Sequence, residues 1–231
     1  MCGICPVKML IKYILLAVAM LMYAGCSNHP PSAAQFMNVK ENGTGLGLGA
    51  SIRSGDIYRG EPSYRSDDYD CVEDRANLDL ALLFRYGYGV FGLSTEDVTV
   101  RMNLGMLSKY IGLQGWGGIA PAMVGSEDNP LFGGVMLIEE YPVTKMFRVG
   151  VSEYISRNAY KVDENLGGLG FYSSDFYEEY GGGFYISYDA LSFEFRYGRE
   201  IGEPRNRFYF TINCLYLDKD DKKTSDVNVR K

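Results

Sequence analysis

Charged side chains stand at alternate positions inside otherwise apolar runs of this chain, and they are its first candidates for chemistry. Asp79 and Arg85 fall among Leu78, Leu80, Leu82, Phe84 and Tyr86; Arg101 lies between Val100 and Met102, and Arg148 between Phe147 and Val149. Glu194 and Arg196 alternate with Phe193, Phe195 and Tyr197. A period of two sends successive side chains to opposite faces of a β-strand, so these charges share the face opposite the apolar one. Carboxylates and guanidiniums in such rows could carry protons or line a narrow pore. Pairing is the competing role, and it is the one expected here. A buried charge without a partner costs several kcal/mol, so charges crowded into a narrow interior should neutralise one another as an ion-pair network beside small glycines.

The remaining reactive residue types are few. His29 is the single histidine, and it sits beside Pro30, Pro31 and Ser32 in a stretch with no period. Read as a tether, that stretch cannot hold an imidazole within hydrogen-bond reach of a nucleophile, so a Ser–His hydrolase is not expected. Asp67, Asp68, Asp70 and Glu73 cluster in one polar stretch and could offer oxygens to a hard cation. Their spacing fits no EF-hand loop, so a solvated acidic loop is expected, with neither metal nor cofactor. Gly45, Gly47 and Gly49 superficially resemble a dinucleotide fingerprint, which needs a following helix. The polar Ser54-Gly55-Asp56 follows instead, and the glycines are read as facing a crowded strand interior. Cys71 and Cys214 are expected to be unpaired thiols, with a disulfide between them, which export permits, as the alternative.

The elements that must position these residues begin after an export signal. Lys8 and Lys12 precede an apolar run from Ile14 to Met22, and the small Ala24 and Gly25 precede Cys26, the layout of a signal peptide over residues 1–25. Ala24-Gly25-Cys26 resembles the lipobox of bacterial lipoproteins, which implies that Cys26 is lipidated and opens the mature chain. An ordinary signal or an uncleaved anchor is the alternative. Residues 26–42 are expected to be a tether reaching roughly 50 Å if extended, 43–217 a β domain, and 218–231 a polar tail. The net charge of −6 lacks the basic footprint that nucleic-acid binding requires.

Eight strand-like runs are legible, around Leu46–Ile52, Leu78–Val90, Val98–Met106, Leu131–Glu139, Phe147–Ser156, Phe184–Tyr188, Leu191–Tyr197 and Phe208–Tyr216, the fourth less regular and with apolar residues on both faces. Long gaps at 54–76, 111–130 and 158–181 alternate with short ones at 93–97, 140–146 and 189–190, with 200–206 in a long slot. Short turns at one end and long loops at the other are the asymmetry of an up-and-down barrel in an outer membrane. Over 43–217 the chain resembles the small outer-membrane β-barrels of the OmpA/OmpX type. The resemblance implies an all-β, antiparallel up-and-down transmembrane barrel of about eight strands, or ten. It further implies a non-enzymatic structural or interaction role through surface loops, in contact with outer-membrane lipid and an extracellular or envelope partner. Alternation alone does not say which face points inward. The inverted arrangement is a lipid-tethered, soluble, lipocalin-like barrel that binds a small apolar ligand in its core.

Overall fold

The computed structural model describes residues 29–55, 75–96, 99–119, 131–164 and 171–217. The period-two runs form antiparallel strands: β1 (Thr44–Gly55), β2 (Arg75–Tyr86), β3 (Gly89–Glu96), β4 (Thr99–Leu107), β5 (Ile111–Ile119), β6 (Leu131–Pro142), β7 (Phe147–Glu164), β8 (Phe171–Tyr188), β9 (Leu191–Glu200) and β10 (Asn206–Leu217). Each pairs with its neighbours in sequence, and β1 also pairs with β10, from Gly45↔Leu217 to Gly55↔Arg207. The sheet therefore closes into a ten-stranded up-and-down barrel without free edges. This is the expected architecture, at the larger of the two strand counts.

Two strands escaped the sequence reading for definable reasons. The run Leu78–Val90 is two strands joined by the turn Gly87–Tyr88, with Tyr86 opposite Gly89 and Gly87 at φ +56°. A two-residue turn preserves the parity of alternation, so the pattern runs through it unbroken. Accordingly, Leu93–Asp97 is not a short-end gap: residues 93–96 are strand, and the 97–98 link joins β3 to β4 at the end that carries the longer connections. The stretch 111–119, expected within a loop, is β5. Its glycines at 112, 115, 117 and 118 erase the apolar alternation that marks a strand. The expected gap at 158–181 likewise contains the far halves of β7 and β8, which pair with each other as far as Glu164↔Phe171. Among the described residues, pairing with the outer neighbours ends earlier, at Gly133↔Arg157 and Glu179↔Glu200. A two-stranded ribbon of about seven residues per strand thus extends roughly 20 Å past the wall.

Burial decides which face points inward. Leu104 is 68% and Met102 68% exposed, whereas Arg101 and Arg196 are 0% exposed. The apolar face is the outside of the barrel and the charged, glycine-rich face its interior, which overturns the inverted, lipocalin-like arrangement with an apolar core. Cys214 is a free thiol on the outward face; Cys71 lies outside the described residues.

The segment preceding β1 corrects the reading most. Residues 29–39, expected to be an extended tether, are buried inside the barrel, and 33–37 form a short helix, α1 (Ala33–Met37). Small barrels of eight strands are filled by their own inward side chains; two further strands widen this lumen enough to admit a piece of backbone. The segment enters at the end bearing the 87–88, 108–110, 143–146 and 189–190 turns. There Arg85 Nη1 donates to the Val39 carbonyl at 3.1 Å and the Gly87 N–H to Asn42 Oδ1 at 3.3 Å. It runs up the lumen to His29, whose backbone N–H donates to Glu96 at 3.2 Å, at the far end of β3. Both ends of the strand circuit lie at the turn end, but the first described residue lies in the other half of the barrel.

Candidate functional site

The occupied lumen gathers the polar chemistry of the chain. Ser32 caps α1, its Oγ accepting from the Gln35 N–H at 3.2 Å. Glu194 holds the same corner from the wall, accepting from Ser32 Oγ at 2.8 Å and from the Ala33 N–H at 3.3 Å. A carboxylate is the fitting partner there, because the first N–H groups of a helix lack acceptors within it. Asn213 and Gln35 complete the corner, with Asn213 Nδ2 donating to Ser32 Oγ at 2.9 Å and Gln35 Nε2 to Asn213 Oδ1 at 3.1 Å. Gly47, Gly49 and Gly112 make room on the wall: a Cβ at Gly47 would lie 2.9 Å from the Gln35 amide, and one at Gly112 2.6 Å from Met37 Sδ. The apolar side of the helix, Ala33, Ala34, Phe36 and Met37, packs in a cluster with Leu107, Trp116, Met136, Ile138 and Tyr185.

Two arginines grip the segment above the helix. Arg101 donates to the His29 carbonyl at 2.6 Å, to Glu96 at 2.9 Å, to Asp79 at 2.9 Å and to Ser94 Oγ at 3.2 Å. Arg196 donates to the carbonyls of Pro30 at 2.6 Å and Pro31 at 3.1 Å, and its Nε lies 3.5 Å from Glu194. Prolines cannot donate backbone hydrogen bonds, but their carbonyls accept them, and a planar guanidinium supplies several donors to a bare turn of chain. Below the helix, Arg148 donates to Asn38 Oδ1 at 2.6 Å and lies 3.6 Å from Glu140. Thus Asp79, Arg85, Arg101, Arg148, Glu194 and Arg196, all singled out from sequence, face inward. Five of them hold the inserted segment directly, and Asp79 does so through Arg101.

Residues that the sequence reading missed complete the charge balance. Among the strand residues whose side chains are described, Arg53, Arg85, Arg101, Arg148, Arg196 and Arg207 face Asp79, Glu96, Glu140, Glu179, Glu194 and Glu200, six of each sign, and Arg205 reaches Glu200 from the turn before β10. A second cluster closes the lumen toward the loop end. Glu179 accepts from Tyr154 at 2.7 Å and Tyr209 at 2.8 Å, Arg207 lies 3.5 Å from Glu179, and Arg207 Nη2 donates to Glu200 at 2.5 Å. Continuing the alternation of the Phe208–Tyr216 run one step backward puts Arg207 on the polar face, a signal already present in the sequence. Glu96 and Glu140 fall in the stretches 93–97 and 140–146, which the alternation assigns to gaps between strands.

His29 is held where the tether reading excluded it. Its Nε2 lies 2.5 Å from Ser51 Oγ and 3.0 Å from Glu96 Oε1, while Nδ1 lies 2.9 Å from the Pro30 carbonyl. A hydrolytic relay needs serine and carboxylate on opposite ring nitrogens, so that one orients the base while the other gives up its proton. Here both crowd one nitrogen, and Ser51 and His29 are only 4% and 3% exposed. The trio ties chain to wall. Trp116 is also buried in the lumen, whereas Ile119 points outward. Asp67, Asp68, Asp70, Glu73 and Cys26 lie outside the described residues.

No family model and no curated protein matches the chain. Several solved structures are similar in shape. Neisserial surface protein A is 11% identical with a TM-score of 0.40, covering 74% of this chain and 95% of its own. The attachment invasion locus protein Ail of Yersinia pestis, in complex with the heparin analogue sucrose octasulfate, is 10% identical with a TM-score of 0.34, covering 77% and 99%. The N-terminal β-barrel domain of Pseudomonas aeruginosa OprF is 6% identical with a TM-score of 0.33, covering 76% and 98%.

Proposed function

We propose that the protein is a non-enzymatic barrel of the bacterial outer membrane, closed by its own N-terminal segment, with a structural or interaction role carried by the surface it presents beyond the bilayer. The observation that carries this reading is the pairing of an apolar outer wall with a stoppered polar lumen. Only closed barrels and helices satisfy all their backbone hydrogen bonds in hydrocarbon. Six tyrosines, Tyr86, Tyr88, Tyr110, Tyr141, Tyr188 and Tyr216, ring the turn end, each between 48% and 82% exposed. Tyr180 and Tyr197 stand outward near the other end. From Tyr188 to Tyr180 along β8, at 3.3 Å per residue and a tilt of ~40°, the wall rises roughly 20 Å, close to the ~25 Å apolar band bounded by aromatic girdles in such barrels. The turn end then faces the periplasm, and the β7–β8 ribbon stands on the outer side, where a partner can reach it.

Against an enzyme stands the geometry of His29, and against an open pore stands the filled lumen. Two measurements test the reading. Exported behind an ordinary cleavable signal in place of residues 1–26, the protein should stay in the outer-membrane fraction through carbonate extraction, and recovery of folded protein from the periplasm would sink the membrane assignment. In planar bilayers it should hold no steady ionic current and should not deacylate phospholipid or lipid A; steady conductance or turnover refutes the closed, non-enzymatic part.

A further inference from the structure

A hollow opens on the outside of the wall, toward the turn end of its apolar face. Cross-strand register builds it. Ile111 faces Glu139, Glu139 faces Val151 and Val151 faces Phe184; one step nearer the turns, Tyr141 faces Val149 and Val149 faces Ile186. The two short valines on β7 form the floor, and the longer side chains on both sides form the walls. The cavity is about 710 Å3 and reaches inward to Gly150, Glu140 and Tyr185. That size lies within the ~300–1,000 Å3 typical of small-molecule sites. Gly150 is required there, since a Cβ would lie 2.3 Å from the Tyr185 ring.

Among the described residues, the outward face carries two carboxylates between the turn-end tyrosines and Tyr180, Glu153 on β7 and Glu139 on β6, and Glu139 is the one that lines this hollow. Glu139 presents an exposed carboxylate on the outward face between Ile111 and Val151, and no described side chain pairs with it. Lys109 lies at the adjoining turn, exposed, with Nζ 4.9 Å from the centroid of Tyr110, which lines the cavity. One anion, one cation and an apolar trough at the level of an aromatic girdle form a pattern of three parts. We propose that the hollow binds an aminophospholipid of the periplasmic leaflet, its ammonium on Glu139, its phosphate toward Lys109 and an acyl chain along Val149, Val151 and Phe184. Charge complementarity selects this occupant. An anionic phospholipid offers Glu139 no cation, and a purely apolar molecule leaves both charges unmatched.

The assignment rests on the membrane reading above, and the test separates the two. Full-length protein is reconstituted in nanodiscs of equal phosphatidylethanolamine and phosphatidylglycerol, released into mild detergent, and weighed by native mass spectrometry for retained lipid. Wild type should keep phosphatidylethanolamine in preference. Glu139→Gln should cut that retention roughly fivefold, the scale of one charge-assisted contact at a wet interface. Val151→Trp, which fills the floor and leaves both charges in place, should lower retention of either lipid. Equal retention of the two lipids by wild type, or undiminished phosphatidylethanolamine on Glu139→Gln, overturns the site. Both variants must remain resistant to carbonate extraction; if wild type itself fails to insert into nanodiscs, the membrane reading fails.

Discussion

Arg101 is where the inserted segment can be tested most sharply. Its side chain is fully buried and makes four hydrogen bonds, one to the His29 carbonyl and one each to Glu96, Asp79 and Ser94. Arg101→Met keeps the length of the stem but takes the guanidinium from two buried carboxylates, leaving Glu96 with His29 and Asn77 and Asp79 without its ion-pair partner. Breaking a buried pair from one side costs about 3–5 kcal/mol, because the partner is left charged and unmatched. Removing the charges together is far cheaper, so Arg101→Met with Asp79→Asn and Glu96→Gln should recover most of that loss. Urea unfolding of the barrel in phospholipid vesicles gives the stabilities, and the triple variant's loss minus the sum of the three single-site losses is the coupling within the cluster. A second reading concerns the segment. With Cys71 and Cys214 replaced by serine, a cysteine at position 35 should be protected from a water-soluble maleimide, and Arg101→Met should accelerate its labelling. A cost below about 1 kcal/mol, or single-site losses that simply add, would refute the claim that Arg101 is the clamp between chain and wall.

The other expectations are more local. Phe36→Ala, at a side chain with 0% exposure in the lumen cluster, should destabilise by about 3–5 kcal/mol in the same titration. Gly112→Leu drives a side chain into Met37 Sδ and Phe36; overpacking of this kind costs about 1–3 kcal/mol and should also raise labelling at position 35. Phe195→Arg, on the outward face midway along β9, should cost about 2–4 kcal/mol in a bilayer. A change of similar size in detergent lacking a hydrocarbon slab would argue against a lipid-facing wall. Metabolic palmitate labelling should mark wild type and be abolished by Cys26→Ser; label retained in that variant rejects the lipidation proposed for Cys26.

What the sequence determined by itself was the alternation, and the alternation has a direct physical cause. A strand has two faces, and when one meets apolar surroundings and the other a polar lumen, residue type must alternate in step, as from Phe193 to Tyr197 and from Phe208 to Tyr216. The all-β class and the grouping of Asp79, Arg85, Arg101, Arg148, Glu194 and Arg196 on one shared polar face follow from it. The same signal fell silent where glycine replaces the apolar residue, hiding β5, and where a two-residue turn keeps the parity, hiding the break between β2 and β3. Only the tertiary structure decided which face is outside, because a period of two is identical for a barrel and its inversion. Only it decided what fills the lumen. Residues 29–39 carry no periodicity, and their partners, Glu96, Arg101, Glu194 and Arg196, lie 67 to 167 positions away along the chain. Such contacts exist because ten strands close a space wider than their own side chains fill, and that width belongs to the closed sheet and to no single stretch of residues.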